Sequence, residues 1–135
     1  MQSIREAERN TPVVQQADIC VVGGGSAGVF AAVRAARLGA SVVIVEQQNA
    51  FGGTGTSGMV CVWHYLTDDR YEKQIIGGLT TEVLHRLAHR DAVIHQEPDP
   101  SKPYRMKNIP QSILNNEELK IELDNLLQES GATIR

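Results

Sequence analysis

The stretch ADICVVGGGSAGVFAAVRAARLGASVVIVE, residues 17–46, predicts the fold of this chain. Its first apolar run, residues 19–22, is short and unbroken, which is typical of a strand that is covered on both faces of a parallel sheet. From Ala27 to Leu38 the apolar residues recur with helical spacing, and a second run rich in β-branched residues follows at 41–46. Strand, helix and strand within about 30 residues indicate a right-handed βαβ unit.

A glycine cluster with the spacing Gly23-x-Gly25-x-x-Gly28 lies between the first strand and the helix. In a dinucleotide-binding turn the first glycine permits the tight bend, and the second lets a pyrophosphate approach the backbone. The third lets the helix pack closely on the strand. The charge of the ligand then meets free N–H groups at the positive end of the helix dipole, at Ser26 and Ala27. The cluster therefore predicts a dinucleotide-binding site.

An acidic residue, Glu46, ends the second strand about 20 residues after the glycines. A carboxylate there can accept hydrogen bonds from the adenosine ribose and disfavours a 2′-phosphate, so we do not expect NADP. Gln47 follows it, and we expect that residue to lie at the same end of the ligand. Both FAD and NAD bind through this fingerprint, so these residues leave the choice between them open. A glycine turn without any nucleotide is the remaining alternative.

The middle of the chain, residues 47–77, has weak periodicity and many glycines, which predicts a long, ordered loop with a short strand near Met59 to Trp63. The segment GGLTTEVLHRLAHR, residues 77–90, has the apolar spacing of a helix. His85 and His89 on that helix have the i, i+4 spacing of metal ligands, but no third ligand is evident. We therefore expect a solvated helix face there and no metal.

The last third of the chain begins with a proline-rich segment, residues 96–110, that predicts an extended connection. A helix is expected next, because Asn115 and Glu118 have the spacing of a capping box and Gly131 is placed to end it. The final residues ATIR have the character of a beginning strand.

Composition limits the classes of function. The net charge is −3 over 135 residues, which argues against a general binder of nucleic acid or of membrane surfaces, because phosphate binding needs clustered Lys and Arg. Residues 1–16 are polar and lack the apolar stretch of a secretory signal, and no apolar run approaches the roughly 20 residues of a membrane helix. We expect a cytoplasmic protein. Cys20 and Cys61 have no metal-binding spacing, and we expect Cys20 to pack as a small hydrophobic residue.

The motif at residues 18–47 resembles the FAD-binding motif of the glutathione-reductase-type flavoproteins. In that family a Gly-Gly pair follows the ribose-binding acid, with Thr or Ser close behind. Gly52 and Gly53 match the pair, and Thr54 and Thr56 match the hydroxyl positions. The resemblance implies that Gly53, Thr54 and Thr56 lie near the pyrophosphate and ribityl chain of FAD, a contact that NAD-binding Rossmann domains do not need.

The resemblance to FAD-dependent oxidoreductases covers nearly the whole chain from Ser3, through IIGGLTTEVLHRL and ELKIELDNLLQESGATIR. It implies an α/β, Rossmann-like FAD/NAD(P)-binding fold with an incomplete parallel sheet. The polar residues 1–16 are expected to form a flexible lead before it. Residues 17–135 would form the N-terminal part of a FAD-binding domain. FAD would carry the redox chemistry on an unknown small-molecule substrate. Disulfide reductases of this kind have a cysteine pair where GGTGTSGMVCVWH has only Cys61, so no dithiol mechanism is expected.

Length is the largest departure from the family, because flavoproteins of this kind are chains several times longer. The resemblance implies a fragment that holds the ADP half of the flavin site, with the C-terminal remainder of the flavoprotein as its partner. A non-catalytic dinucleotide-binding module and an NAD-binding Rossmann domain are the alternatives. The cluster Trp63, His64 and Tyr65 is either a contact near the isoalloxazine or ordinary strand packing.

Overall fold

The computed structural model describes residues 3, 4, 6–68, 70, 72–96 and 111–135. The predicted proline-rich connection therefore lies, beyond Gln96, outside the described residues. In chain order the elements are β1 (Ile19–Val22), α1 (Ser26–Arg37), β2 (Val42–Val45), a 3-10 turn (Gly53–Gly55), β3 (Val62–His64), α2 (Leu79–Ala88), β4 (Val93–Gln96), β5 (Gln111–Leu114), α3 (Asn116–Ser130) and β6 (Thr133–Ile134).

A parallel sheet with the strand order β1-β2-β6 forms the centre of the fold. Ile19 pairs with Val42 across the first two strands, and Val43 pairs with Thr133 across the second and third. The predicted βαβ unit and α/β fold are confirmed, as is the strand expected at ATIR. Because β6 follows α3 and lies beside β2, the chain makes its second parallel crossover here.

Helices α1 and α3 cover one face of this sheet, and α2 packs on α3. The core joins Ile44 of β2 to the apolar stripes of the three helices, since side chains three and four residues apart share a helix face. Each fully buried Leu or Val stabilises the fold by about 1.5–3 kcal/mol before entropy is counted. The largest fully buried aliphatic side chains are Val29, Val33, Ile44, Val83, Leu87, Leu119, Leu123, Leu126 and Leu127.

The opposite face of β1 is exposed, which corrects the expectation that β1 is covered on both faces. Val22 is 83% exposed, and Cys20 is exposed rather than packed as a small hydrophobic residue. The helices cover only the alternate side chains, such as Val21, because successive residues of a strand point to opposite faces. Residues 14–17 border a cavity of about 690 Å³ on this open face. Residues 6–16 form no helix or strand, and the flexibility of the lead stays a prediction.

A second, antiparallel sheet has the strand order β3-β5-β4. Trp63 pairs with Ser112, and Ser112 pairs with His95 on its other side. The sequence predicted only the first of these strands, near its observed position. The other two were missed, because one is separated from the preceding helix only by residues 89–92 and the other adjoins the proline-rich segment.

An ion-pair network joins the three helices at the end of α1 that lies away from the glycine cluster. Arg37 of α1 contacts Glu82 of α2 at 2.7 Å, and Arg86 contacts Glu82 at 2.9 Å and Glu129 of α3 at 2.7 Å. The hydrogen bonds from Arg37 and Arg86 lower the pKa of Glu82 to about 2. The network therefore fixes α1 against α2 and α3. Within the described residues, no helix has both the length and the apolar character that crossing a membrane requires.

Candidate functional site

The N-terminus of α1 carries backbone N–H groups that no described side chain caps. Its N-cap is Gly25, which offers no side-chain acceptor, and the first turn contains no acidic residue. The first bond that closes the helix runs from Val29 N to Gly25 O, at 2.9 Å. The preceding N–H groups, of Ser26, Ala27 and Gly28, have no intrahelical partner and can be donated to an anion.

Three glycines shape the turn before this helix, each for a different reason. Gly23 has a φ of +99°, which L side chains rarely adopt. A Cβ on Gly28 would overlap the carbonyl oxygen of Gly23, so only glycine allows the helix to approach the strand this closely. A Cβ on Gly25 would meet no described atom within 4 Å. The side of Gly25 that lacks a side chain is therefore a surface that a ligand can approach.

The second glycine run lies directly beside the first. Gly52 N donates to Gly24 O at 2.8 Å, and Gly25 and Gly52 form a parallel bridge. A Cβ on Gly53 would stand 3.2 Å from Cα of Gly25. The two glycine runs are separate in the sequence, but they form one backbone surface next to the uncapped end of α1.

Glu46 lies at the edge of this surface with its carboxylate fixed by the backbone. Its Oε1 accepts from Gln48 N at 2.8 Å, and its Oε2 accepts from Gly24 N at 2.5 Å. The hydrogen bond from Gln48 N, and to a smaller extent that from Gly24 N, holds the pKa of Glu46 below its ordinary value. The carboxylate is therefore ionised at neutral pH. Each carboxylate oxygen keeps a further lone pair for a hydroxyl donor. Gln47, beside it, is exposed.

The predicted hydroxyl positions differ in their surroundings. Thr54 is exposed next to the two glycine runs, while Thr56 is fully buried and its Oγ1 donates to Phe51 O at 2.6 Å. Thr56 therefore stabilises the loop from its buried side, and it would affect a ligand only through the conformation of that loop. Ser26 donates through its hydroxyl to Gly52 O at 3.2 Å, which ties the helix end to the second run.

Two residues that sequence reasoning missed hold the second glycine run in place. Asn116 is buried in the first turn of α3, and its Nδ2 donates to Gly55 O at 2.8 Å. The ring of Phe51 fills the space that a Cβ on Gly24 would need. The sequence did contain a signal for Asn116. Because Asn115 already caps α3, the side chain of the polar residue after it is available to bind another part of the chain.

The other candidates do not join this surface. His85 on α2 and His89 at its C-cap are both exposed. Among the residues that the structure describes, no three His, Cys, Asp or Glu side chains are grouped closely enough to hold a metal ion.

The chain is similar to known proteins in sequence and in fold. A family model described as "FAD dependent oxidoreductase" matches residues 18–135. The chain is 48% identical over 46 residues to the mitochondrial dihydrolipoyl dehydrogenase of Caenorhabditis elegans, covering 34% of this chain and 9% of that protein. It is 31% identical over 86 residues to beta-cyclopiazonate dehydrogenase of Aspergillus oryzae, covering 62% and 17%. The crystal structure of THI4 from Thermovibrio ammonificans shares the fold at a TM-score of 0.53 and 18% identity, covering 89% of this chain and 37% of that one.

Proposed function

The chain belongs to the FAD-dependent oxidoreductase family, and from that premise we propose that it forms the ADP-binding part of a flavin site. FAD is the cofactor that membership of this family implies, and when bound it supplies hydride or electron transfer. One observation carries the proposal: the uncapped end of α1 opens onto the side of Gly25 that has no side chain. A helix end of this kind binds phosphate through its N–H groups and its dipole.

The pyrophosphate would lie over Gly25 and accept hydrogen bonds from the N–H groups of Ser26, Ala27 and Gly28. Gly23 and Gly28 make the turn narrow enough to present those groups together. Water would be excluded from one side of the phosphates by the second glycine run, which lies against the first.

The adenosine ribose would hydrogen-bond to the carboxylate of Glu46, and Gln47 would lie beside the same sugar. The carboxylate is already oriented by Gln48 N and Gly24 N, so little side-chain freedom would be lost when the ribose binds. An ionised group at this position repels a 2′-phosphate, which supports FAD over NADP as the ligand.

The ribityl side of the cofactor would pass Gly53 and Thr54, with Thr56 stabilising that loop from beneath. This second contact favours FAD over NAD, because NAD-binding Rossmann domains do not need a second glycine segment beside the first. The chain spans 9% and 17% of the two curated relatives named above, so the substrate and reaction of the whole protein are proposals. We propose redox chemistry on a small-molecule substrate, with the rest of a flavoprotein completing the pocket.

The test is a calorimetric titration of the purified chain with FAD, ADP and NAD, together with a visible spectrum. We expect FAD and ADP to bind and to raise the melting temperature by mass action, and bound flavin to absorb at about 450 nm. Failure of FAD to bind at high concentration would contradict the proposal. A larger thermal shift with NAD than with FAD would favour the NAD-binding alternative, and binding of ADP without FAD would favour a non-catalytic module.

A further inference from the structure

Among the strands that the structure describes, β4 lies at an edge of the antiparallel sheet. Asn115 N donates to Ala92 O at 2.8 Å, so the backbone groups of Ala92 are directed to β5. Successive residues of an antiparallel strand direct their N–H and C=O groups to alternate sides. Ile94 is therefore also directed to β5, while Val93 and His95 are directed to the free edge. No described residue outside the sheet bonds to the backbone of Val93 or His95.

This edge lacks the features that commonly prevent an edge strand from pairing further. β4 has the sequence VIHQ, with no Asp, Glu, Lys, Arg or Pro. Its register with β5 is regular from Val93 to Gln96, so no bulge turns the edge away. The outward N–H and C=O groups are therefore available to another strand.

An apolar row on the outer face of the sheet ends at the same edge. Val62 pairs with Ile113, and Ile113 pairs with Ile94, so the three side chains share one face. The opposite face packs on the core through Leu114 and Val93. Ile94 is 66% exposed, because no further strand lies beside it in the described part of the chain. An apolar neighbour across the edge would bury this side chain.

We propose that β4 pairs antiparallel with β4 of a second copy of this chain. With a two-fold axis at Ile94, Val93 of each copy lies opposite His95 of the other. Each outward N–H then meets an outward C=O, so all these groups in both strands are paired. Ile94 of one copy lies directly beside Ile94 of the other, at a position where cross-strand side chains approach closely.

The choice of a second copy follows from this self-complementarity. The partial charges of the edge match those of the same edge after a two-fold rotation, and the rotation joins two apolar rows into one. An axis at Val93 or His95 would instead place Ile94 opposite Ala92 or Gln96, and would leave the apolar rows unaligned. The inference does not depend on the proposed function, because it uses neither glycine run.

The contact is small, since β4 has only 4 residues. We therefore expect a dimer that dissociates on dilution, with a dissociation constant of about tens of micromolar. Sedimentation velocity of the full chain from about 1 µM to about 1 mM should show the change from monomer to dimer.

Ile94→Lys tests the position of the axis, because it places like charges directly opposite each other. We expect dimerisation to weaken at least about tenfold. Ile75→Lys is the matched control, since Ile75 is 65% exposed in a loop and the substitution adds the same charge. It should dimerise like the wild type. An equimolar mixture of Ile94→Lys and Ile94→Glu should form a heterodimer, because opposite charges then meet at the axis.

His95→Pro tests the hydrogen bonds of the edge. It removes the outward N–H of His95, and proline is tolerated at an edge strand where the N–H is not directed into the sheet. His95→Ala is the control, because it also lacks the imidazole but keeps the N–H. We expect His95→Pro to dimerise at least about tenfold more weakly than His95→Ala, since each copy loses a hydrogen bond to the other.

Folding of each variant is checked by its melting temperature at about 1 µM, where the wild type is monomeric. A wild type that remains monomeric at about 1 mM overturns the proposal. The same holds if Ile94→Lys dimerises as tightly as Ile75→Lys, or if the mixture of Ile94→Lys and Ile94→Glu stays monomeric. Equal dimerisation by His95→Pro and His95→Ala would exclude pairing through the edge.

Discussion

The first turns of α1 and α3 both have backbone N–H groups without an intrahelical partner, and these groups are capped by a side chain at α3 but not at α1. At α3 the side chain of Asn115 accepts from Glu117 N at 3.0 Å and from Glu118 N at 3.3 Å, and both of those residues are acidic. At α1 the cap is Gly25, with no acid in the first turn. A glycine N-cap is weaker than Asn or Asp by only roughly a few tenths of a kcal/mol, so α1 gives up little stability. Its N–H groups are in return available to a ligand.

The difference in capping is offset at the other end of α1. Arg37 joins the network that contains Glu82 and Arg86, while the side chains of Val29 and Val33 are fully buried. The helix is thus secured by packing and by charges away from the glycine turn. The ion-pair network and the proposed ligand site therefore lie at opposite ends of one helix, and substitutions at the two ends should have separable effects.

The largest effect is expected for Gly28→Ala. The new Cβ would overlap Gly23 O, a backbone atom that cannot move without opening the turn. We expect a loss of about 3 kcal/mol in the free energy of unfolding, measured by urea denaturation. Gly25→Ala is the matched control, because its Cβ meets no described atom within 4 Å and its φ is −62°. It should lose less than about 1 kcal/mol, since alanine is only a poorer N-cap than glycine. Equal losses in both variants would show that Gly28 is not a packing requirement.

The next effect, on binding, tests the open helix end directly. Gly25→Asp gives α1 the kind of cap that α3 has, at a residue whose ψ of 171° is already typical of an N-cap. We expect the free protein to gain only roughly a few tenths of a kcal/mol of stability, because glycine is itself a tolerated N-cap. ADP should bind at least about 100-fold more weakly, or about 2.7 kcal/mol, because the carboxylate takes the N–H groups and repels the phosphates. Gly25→Asn, a cap without charge, should bind ADP more weakly than wild type and more tightly than Gly25→Asp. A capped variant that binds ADP as tightly as wild type would contradict the proposed phosphate site.

The anchored end of α1 should respond to pH. The pKa of Glu82 is lowered in the folded state to about 2 from 4.5, so its contribution to stability is complete above pH 4.5 and is lost as the pH falls toward 2. The pair is partly solvated, with the side chain of Glu82 31% exposed, so we expect Glu82→Gln to cost only about 1–2 kcal/mol at pH 7. Between pH 4.5 and 2 the stability of the variant should also decrease less than that of the wild type, measured by thermal melts. Unchanged ADP affinity at pH 7 is the control, and reduced affinity would mean that the two ends of α1 are not independent.

The comparison also shows what could be predicted from sequence. The open end of α1 was predicted, because Gly23, Gly25 and Gly28 act within one turn and their spacing is visible locally. The cap of α3 was predicted for the same reason, since Asn115 contacts residues two and three positions later.

Features that depend on distant residues were missed. The antiparallel sheet needs Ser112 to pair with Trp63 and His95, and no local pattern carries that pairing. An apolar run such as that of β1 has the same composition whether one face or both are covered, so the exposure of Cys20 could not be read from it. The direction of the Thr56 hydroxyl depends on where the chain brings Phe51 O.

The smallest effect is expected at the capped helix end. Asn115→Ala removes the acceptor for Glu117 N and Glu118 N and should lower the free energy of unfolding by about 1 kcal/mol, measured by urea denaturation. Asn115→Asp is the control, because it keeps the acceptor and should stay near wild type. Neither variant should change the affinity for ADP, since this cap serves only its own helix. Its neighbour Asn116 instead holds Gly55 O, so Asn116→Ala should weaken FAD more than ADP. Weaker ADP binding by Asn115→Ala would mean that the two helix ends are coupled, and the separation of stability from binding would not hold.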